Sequence, residues 1–125
     1  MKKENKIKII AEIGPNHNGN INLAKKMIIN LSKTKVDIVK FQLGDPYKIY
    51  SKDALIANYQ KDLKIRNPIS LSMKNQLSRA AHIELKKLCK KLKLTYSCTA
   101  FDLDSLIFLA NNLFVMLDFP ILYFF

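Results

Sequence analysis

The sequence predicts an α/β protein built on a parallel sheet, and three observations carry that reading. Short apolar, β-branched runs fall at residues 7–13, 36–42 and 94–99, and between them lie stretches whose apolar residues recur at helical spacing. The connection from the first helical stretch to the second strand is very short, as it is in βα repeats. Strands that alternate with helices pair in parallel through crossover helices, so the order β-α-β-α-β-α implies one parallel sheet.

Each element has its own signal. Residues 7–13 form an apolar run ended by Gly14-Pro15, a strand followed by a breaker, and residues 15–20 carry turn chemistry throughout. Asn22 is a candidate cap for a helix over residues 23–32, where Leu23, Ala24, Met27, Ile28 and Leu31 share one face. The second strand spans residues 36–42. Residues 43–78 are mixed and polar, with Pro46 and Pro68, and read as a long loop with short helical turns around residues 52–59. A helix over residues 79–92 presents Leu85, Leu88, Cys89 and Leu92 on one face and lysines on the rest, with His82 on its surface. A third strand covers residues 94–99. Asp102 then caps a helix over residues 103–111, with Leu106, Ile107, Leu109 and Ala110 as its apolar side, and a fourth strand could follow.

Composition narrows the function. The chain has 125 residues, 49% hydrophobic and 25% charged, which is the balance of a globular protein but half the roughly 250 residues of a typical α/β barrel. The net charge of +11 comes from lysines spread along the chain, with only two arginines, Arg66 and Arg79. That pattern fits a basic surface better than a nucleic-acid interface, in which clustered Arg and Lys interleave with aromatics. Cys89 and Cys98 lack metal-site or disulfide spacing and read as buried reduced thiols. The first residues lack a cleavable leader pattern, which points to the cytoplasm. The apolar tail from Leu113 is interrupted by Asp118 and Pro120 and is too short for a membrane span of about 20 residues.

Polar residues inside strands of a parallel sheet call for an explanation, because such strands are buried on both faces. By the period-two rule Glu12 lies opposite the face of Ile9, Ala11 and Ile13, and Lys40 and Gln42 lie opposite Val39 and Phe41. Thr95, Ser97 and Thr99 alternate in the same way with Tyr96 and Cys98. The polar sets gather toward the carboxyl ends of three strands, where parallel α/β folds place their ligand sites. An amine beside hydroxyl and amide donors suits an anionic substrate that carries hydroxyls. Each residue alone has a plainer reading, with Lys40 reaching water, Glu12 as its ion-pair partner and Thr99 satisfied by backbone. His17, alone in the loop Asn16-His17-Asn18-Gly19, reads as a loop-ordering residue more readily than as a metal ligand.

The blocks AEIGPNHNG at residues 11–19, AKKMI at 24–28, VDIVKFQ at 36–42 and YSCTAFDLDSLIFL at 96–109 resemble, in order, the N-acetylneuraminate synthase family, which includes legionaminate and pseudaminate synthases. The resemblance implies an incomplete TIM (β/α)8 barrel of about three βα units plus a possible fourth strand, with residues 1–112 as its amino-terminal part. It implies a transferase that condenses phosphoenolpyruvate with N-acetylmannosamine or a related aminosugar, uses Mn2+ or Mg2+, and is homodimeric at full length. Carried over, Glu12 would lie beside the reacting carbons, Lys40 and Thr99 would hold phosphoenolpyruvate, and Gln42 would contact the sugar, with Asn16 and His17 also substrate-binding.

The chain departs from the family in places. Lys35 and Lys93 stand where glycine usually ends the first two helices, Ala100 replaces a proline and Cys98 a serine. Residues 113–125 match no block of the family, as a frameshift or early stop near Asn112 would produce. The family's metal-binding histidines have no counterpart in these 125 residues, so the chain alone is expected to be inactive. The rival reading is a small α/β module that binds a phosphorylated metabolite without turnover.

Overall fold

A computed structural model describes residues 7–50 and 68–113. Three strands, β1 (Ile10–Glu12), β2 (Ile38–Leu43) and β3 (Thr95–Ala100), form one parallel sheet in the order β1-β2-β3. Helix α1 (Ile21–Leu31) connects β1 to β2. Between β2 and β3 come the single turn α2 (Pro46–Ile49), α3 (Pro68–Asn75) and α4 (Arg79–Lys91), and α5 (Leu103–Leu113) follows β3. Sequential parallel strands without a reversal of order are the pattern of a (β/α)8 barrel wall and equally of one half of a doubly wound sheet.

The core lies on one face of this sheet. Val39, Phe41, Leu43, Tyr96 and Cys98 from the strands meet Ala24 and Ile28 of α1, Ala81, Leu85 and Cys89 of α4, and Leu109 of α5. Helix α4 is central, packing on β3 and against both α1 and α5. Phe41, fully buried, is ringed by His17, Tyr96 and His82, with centroids 5.5 to 6.2 Å away. Lys40, Gln42, Thr95, Ser97 and Thr99 alternate with these residues and so point to the opposite face, which is half-exposed.

The expected elements are present with shifted ends and five corrections. First, the helix cap is Asn20 and not Asn22: its Oδ1 accepts from the Asn22 and Leu23 amides at 2.9 and 3.1 Å. The helix therefore starts two residues earlier than the apolar period alone suggests. Second, the described parts of the stretch expected as a long loop, residues 43–50 and 68–78, carry two helical segments. Asp45 caps α2, where Pro46 occupies the first turn, and Pro68 opens α3. The turns expected at residues 52–59 and the fourth strand after Leu113 lie outside the described residues.

Third, His82 is fully buried and not on the helix surface. Its Nδ1 lies 2.6 Å from the Tyr96 hydroxyl, and its Nε2 has no hydrogen-bond partner among the described residues. Burial pulls its pKa down to about 4, with His17 adding to the effect. The lysines around it on α4 hide this position from a count of charged residues. Fourth, only one of the two lysines that replace glycine adopts the left-handed conformation. Lys93 has φ of 60°, inside a C-cap in which the Leu94 amide donates to the Cys89 carbonyl and the Lys93 amide to the Lys90 carbonyl. After α1 the chain unwinds instead through successive turns, the Thr34 amide and hydroxyl both donating to the Leu31 carbonyl, so Lys35 needs no positive φ. Fifth, α5 buries Ser105 and Leu109 and packs Phe108 on the core, while Ile107 and Ala110 face outward.

Cys89 and Cys98 are buried free thiols, as expected, and burial pushes both up to about 12. No described helix is long and apolar enough to cross a membrane.

Candidate functional site

The site lies on the sheet face that the helices leave uncovered. Parallel pairing aligns Glu12 of β1 with Lys40 of β2, and Lys40 with Ser97 of β3; two residues further on, Gln42 aligns with Thr99. Paired residues of neighbouring strands point the same way, so the five side chains share one face and two adjacent levels near the carboxyl ends. The arrangement follows from the period of the strands: the apolar alternates are consumed by the core, and the polar alternates have nowhere else to point.

Within this set the contacts are specific. Lys40 Nζ lies 2.9 Å from Glu12 Oε2, with the two side chains 30% and 43% exposed. An ion pair this open contributes at most about 1 kcal/mol to stability, so holding the fold is not a sufficient reason for it. The other Glu12 oxygen accepts from the Gly14 amide at 3.1 Å. Gly14 turns the chain out of β1 with φ of 50°, and the Gln42 amide packs against it. Glu12 is thereby fixed at both oxygens, and it holds the Lys40 ammonium beside Gln42 at the mouth of the sheet.

Glu12, Lys40, Gln42 and Thr99 are thus brought together as the strand pattern predicted. Ser97 shares this face with them without being among the residues the resemblance assigns to substrate, and its place in the Thr95-Ser97-Thr99 alternation is the sequence signal for it. The loop residues are placed differently. Asn16 is exposed, and its amide donates to the Ile13 carbonyl at 2.8 Å, closing the turn that follows β1.

His17 is on the other side altogether. It is buried, stacked on Phe41, and its Nδ1 accepts from the Gly19 amide at 3.1 Å. Desolvation lowers its pKa. These contacts are those of a loop-ordering residue. Gly19 has φ of 71°, and a β-carbon there would lie 2.2 Å from the Lys74 carbonyl, so the loop is seated directly on the end of α3.

A second polar group lies just beyond the first, at the exits of β2 and β3. Asp102 Oδ2 accepts from the Asp45 amide at 2.7 Å and from the Ser105 hydroxyl at 2.7 Å, while Oδ1 accepts from the Ser105 amide at 2.9 Å. Burial alone would raise its pKa, but these bonds and nearby Lys48 hold it below the usual carboxylate value. Lys48 also pairs with Asp104, joining the same two loops.

The donor set does not fit a resident divalent cation. Among the described residues no three His, Cys, Asp or Glu side chains gather, and both oxygens of Glu12 are engaged by Lys40 and Gly14. What the geometry can do is receive an anion at Lys40, with hydroxyls and an amide as further donors.

The three parallel strands with their helices, and an ion pair, an amide and two hydroxyls gathered at the strand ends, are the features of a segment of (β/α)8 barrel wall. The chain belongs to the NeuB family, whose sequence model matches residues 27–117. It is 40% identical over 99 residues to N,N'-diacetyllegionaminic acid synthase of Campylobacter jejuni, a match covering 78% of this chain and 30% of that protein. It is 34% identical over 103 residues to N-acetylneuraminate-9-phosphate synthase of Drosophila melanogaster, covering 82% of this chain and 28% of that one. Among solved structures, the N-acetylneuraminic acid synthetase of Leptospira borgpetersenii, crystallised with citrate, superposes with a TM-score of 0.71 at 26% identity. That match covers 86% of this chain and 33% of the other. The chain thus spans about 30% of the length of the curated relatives it matches. The fold is accordingly a partial TIM barrel.

Proposed function

We propose that this chain provides the phosphoenolpyruvate-binding strands of a nonulosonic acid synthase, acting in the cytoplasm on phosphoenolpyruvate and an aminosugar such as N-acetylmannosamine. The observation that carries the reading is the Glu12–Lys40 pair, aligned in register with Ser97 and adjoined by Gln42 and Thr99 at the carboxyl ends of the strands. The lysine supplies charge for the phosphate or carboxylate of phosphoenolpyruvate, and Ser97 and Thr99 supply hydroxyl donors. Gln42, one level nearer the mouth, has a side-chain amide with which to meet the polar edge of the second substrate.

Glu12 has a definite part in this arrangement. In the condensation the methylene carbon of phosphoenolpyruvate bonds to the carbonyl carbon of the open-chain sugar as the enol double bond breaks. The carbonyl π electrons pass to its oxygen, which takes up a proton, positive charge builds at the enol carbon and its oxygen, and water then adds at that carbon and inorganic phosphate leaves. A carboxylate near that carbon opposes the developing charge. Before substrate arrives, the same carboxylate keeps Lys40 extended along the sheet instead of out in solvent. A divalent cation, as the family resemblance implies, would have to draw its ligands from outside the described residues.

Calorimetric titration of the chain with phosphoenolpyruvate tests the reading. Saturable binding that weakens at least tenfold in Lys40→Met is expected; binding unchanged by that substitution, or none in the parent chain, contradicts it. Incubated with phosphoenolpyruvate, N-acetylmannosamine and Mn2+, the 125-residue chain is expected to bind without forming sialic acid.

A further inference from the structure

Beyond the substrate-facing residues, the exits of β2 and β3 are fastened to each other. The backbone ladder runs one step past the strands, the Phe101 amide donating to the Leu43 carbonyl at 2.9 Å. Gly44 makes room for this closure: a β-carbon there would lie 2.6 Å from Ile49 Cδ1 and 2.9 Å from Phe101 Cβ. One residue further on, Asp102 reaches across 57 positions of sequence to accept from the Asp45 amide at 2.7 Å. Gln42 precedes Asp45 by three residues and Thr99 precedes Asp102 by three, and the two are in register. The carboxylate therefore ties together the two chain exits directly above the pair that the proposed function assigns to substrate.

We infer that Asp102 is a positioning residue for the substrate site: by bonding the Asp45 amide it holds the two chain exits together above Gln42 and Thr99, whose backbones the ladder already pairs, and so keeps the strand ends that carry them from splaying. This rests on the proposed function for the identity of the ligand, but the bond itself is independent of it. Asp102 has two separable duties. Through Oδ1 it caps α5 at the Ser105 amide, and through Oδ2 it clasps Asp45. A capping residue needs one acceptor oxygen, and asparagine caps helices as well as aspartate does. The clasp needs the second oxygen. Asn at this position has one acceptor oxygen for these two N–H donors and cannot serve both: with its oxygen on the Ser105 amide, its NH2 faces the Asp45 N–H.

That separation supplies the test. The parent chain, Asp102→Asn and Ser105→Ala are compared for phosphoenolpyruvate affinity by calorimetry and for amide shifts and hydrogen exchange by NMR. Ser105→Ala removes the hydroxyl bond to Oδ2 but leaves the Asp45 clasp, and serves as the control for stability loss in the same loop. Asp102→Asn is expected to weaken phosphoenolpyruvate binding roughly tenfold, the scale of one lost bond to a charged group, with Ser105→Ala within about twofold of the parent chain. The Phe101 and Asp45 amides should exchange faster in Asp102→Asn only, with shifts at Gln42 and Thr99. Equal affinity in Asp102→Asn and the parent chain, or equal loss in both variants, overturns the positioning role. Should the parent chain not bind phosphoenolpyruvate, the proposed function fails and the NMR decides: unmoved Gln42 and Thr99 resonances in Asp102→Asn overturn the inference, and shifted ones support it.

Discussion

The two faces of the sheet use the same three strands for opposite ends. On the helix side Val39 and Phe41 are fully buried and Tyr96 nearly so, and every neighbour is a packed side chain. On the other side Lys40, Gln42, Ser97 and Thr99 are half-buried, and their neighbours are one another and Glu12. A shift of one residue along β2 would exchange Phe41 for Lys40, so the register that builds the core is also what gathers the site. Stability is thereby concentrated on one face and the candidate site on the other, and substitutions on the two faces are expected to have separable effects.

The largest expected effect is on the packed face. Phe41→Ala should cost roughly 3 to 5 kcal/mol, because it empties the space between His17, Tyr96 and His82. Domains of this kind have only about 5 to 15 kcal/mol of stability, so the urea midpoint should fall steeply or the native baseline disappear.

Next comes pH. The folded-state pKa of His82, about 4, lies below the unfolded value of 6.5, so folding favours the neutral ring. Its contribution is fully present above pH 6.5 and is lost as pH falls toward 4, a difference of roughly 3 kcal/mol. His17 is lowered as well and adds in the same direction. Urea midpoints measured from pH 7.5 down to 4 should decline across that window, and His82→Gln should flatten the decline.

Gly19→Ala should cost roughly 1 to 3 kcal/mol, since the new methyl meets the Lys74 carbonyl at a left-handed backbone position. Thermal denaturation reads this directly. It should affect the substrate site little, because this loop seats His17 on the core face.

The smallest stability effect belongs to the site itself. Glu12→Gln should change the midpoint of unfolding by less than about 1 kcal/mol, given how open the ion pair is. It should nonetheless alter phosphoenolpyruvate binding, since Lys40 loses the group that orients it. A stability loss as large as that of Phe41→Ala would erase the distinction between the faces.

The sequence exposed this division unevenly. Period-two alternation in residues 36–42 and 94–99 was enough to separate Phe41 from Lys40 and Tyr96 from Thr99, because burial of one face leaves the strand no other register. The Glu12–Lys40 pairing followed from strand order. Ser97 is visible in the same alternation, one level below Thr99 at the strand end.

What the sequence concealed depended on contacts between distant segments. His82 looked exposed among lysines, yet tertiary packing places it under Tyr96, and a helical period alone does not show how wide the buried stripe is. The cap at Asn20 was masked by a second asparagine two residues later. The clasp from Asp102 to Asp45 spans 57 residues, and no local pattern announces a bond between two loops. For His17 the loop-ordering reading agrees with the structure, its ring stacked on Phe41 and its Nδ1 accepting from the Gly19 amide, but the sequence did not show which face it joins.

The most direct test of the division between faces is an NMR titration with phosphoenolpyruvate that follows side chains from both. The account predicts saturable shifts of the Gln42 amide group and the Thr99 methyl, with the Phe41 and Tyr96 ring signals unmoved. Ring shifts without movement at Gln42 and Thr99, or no saturable shift anywhere, would contradict it.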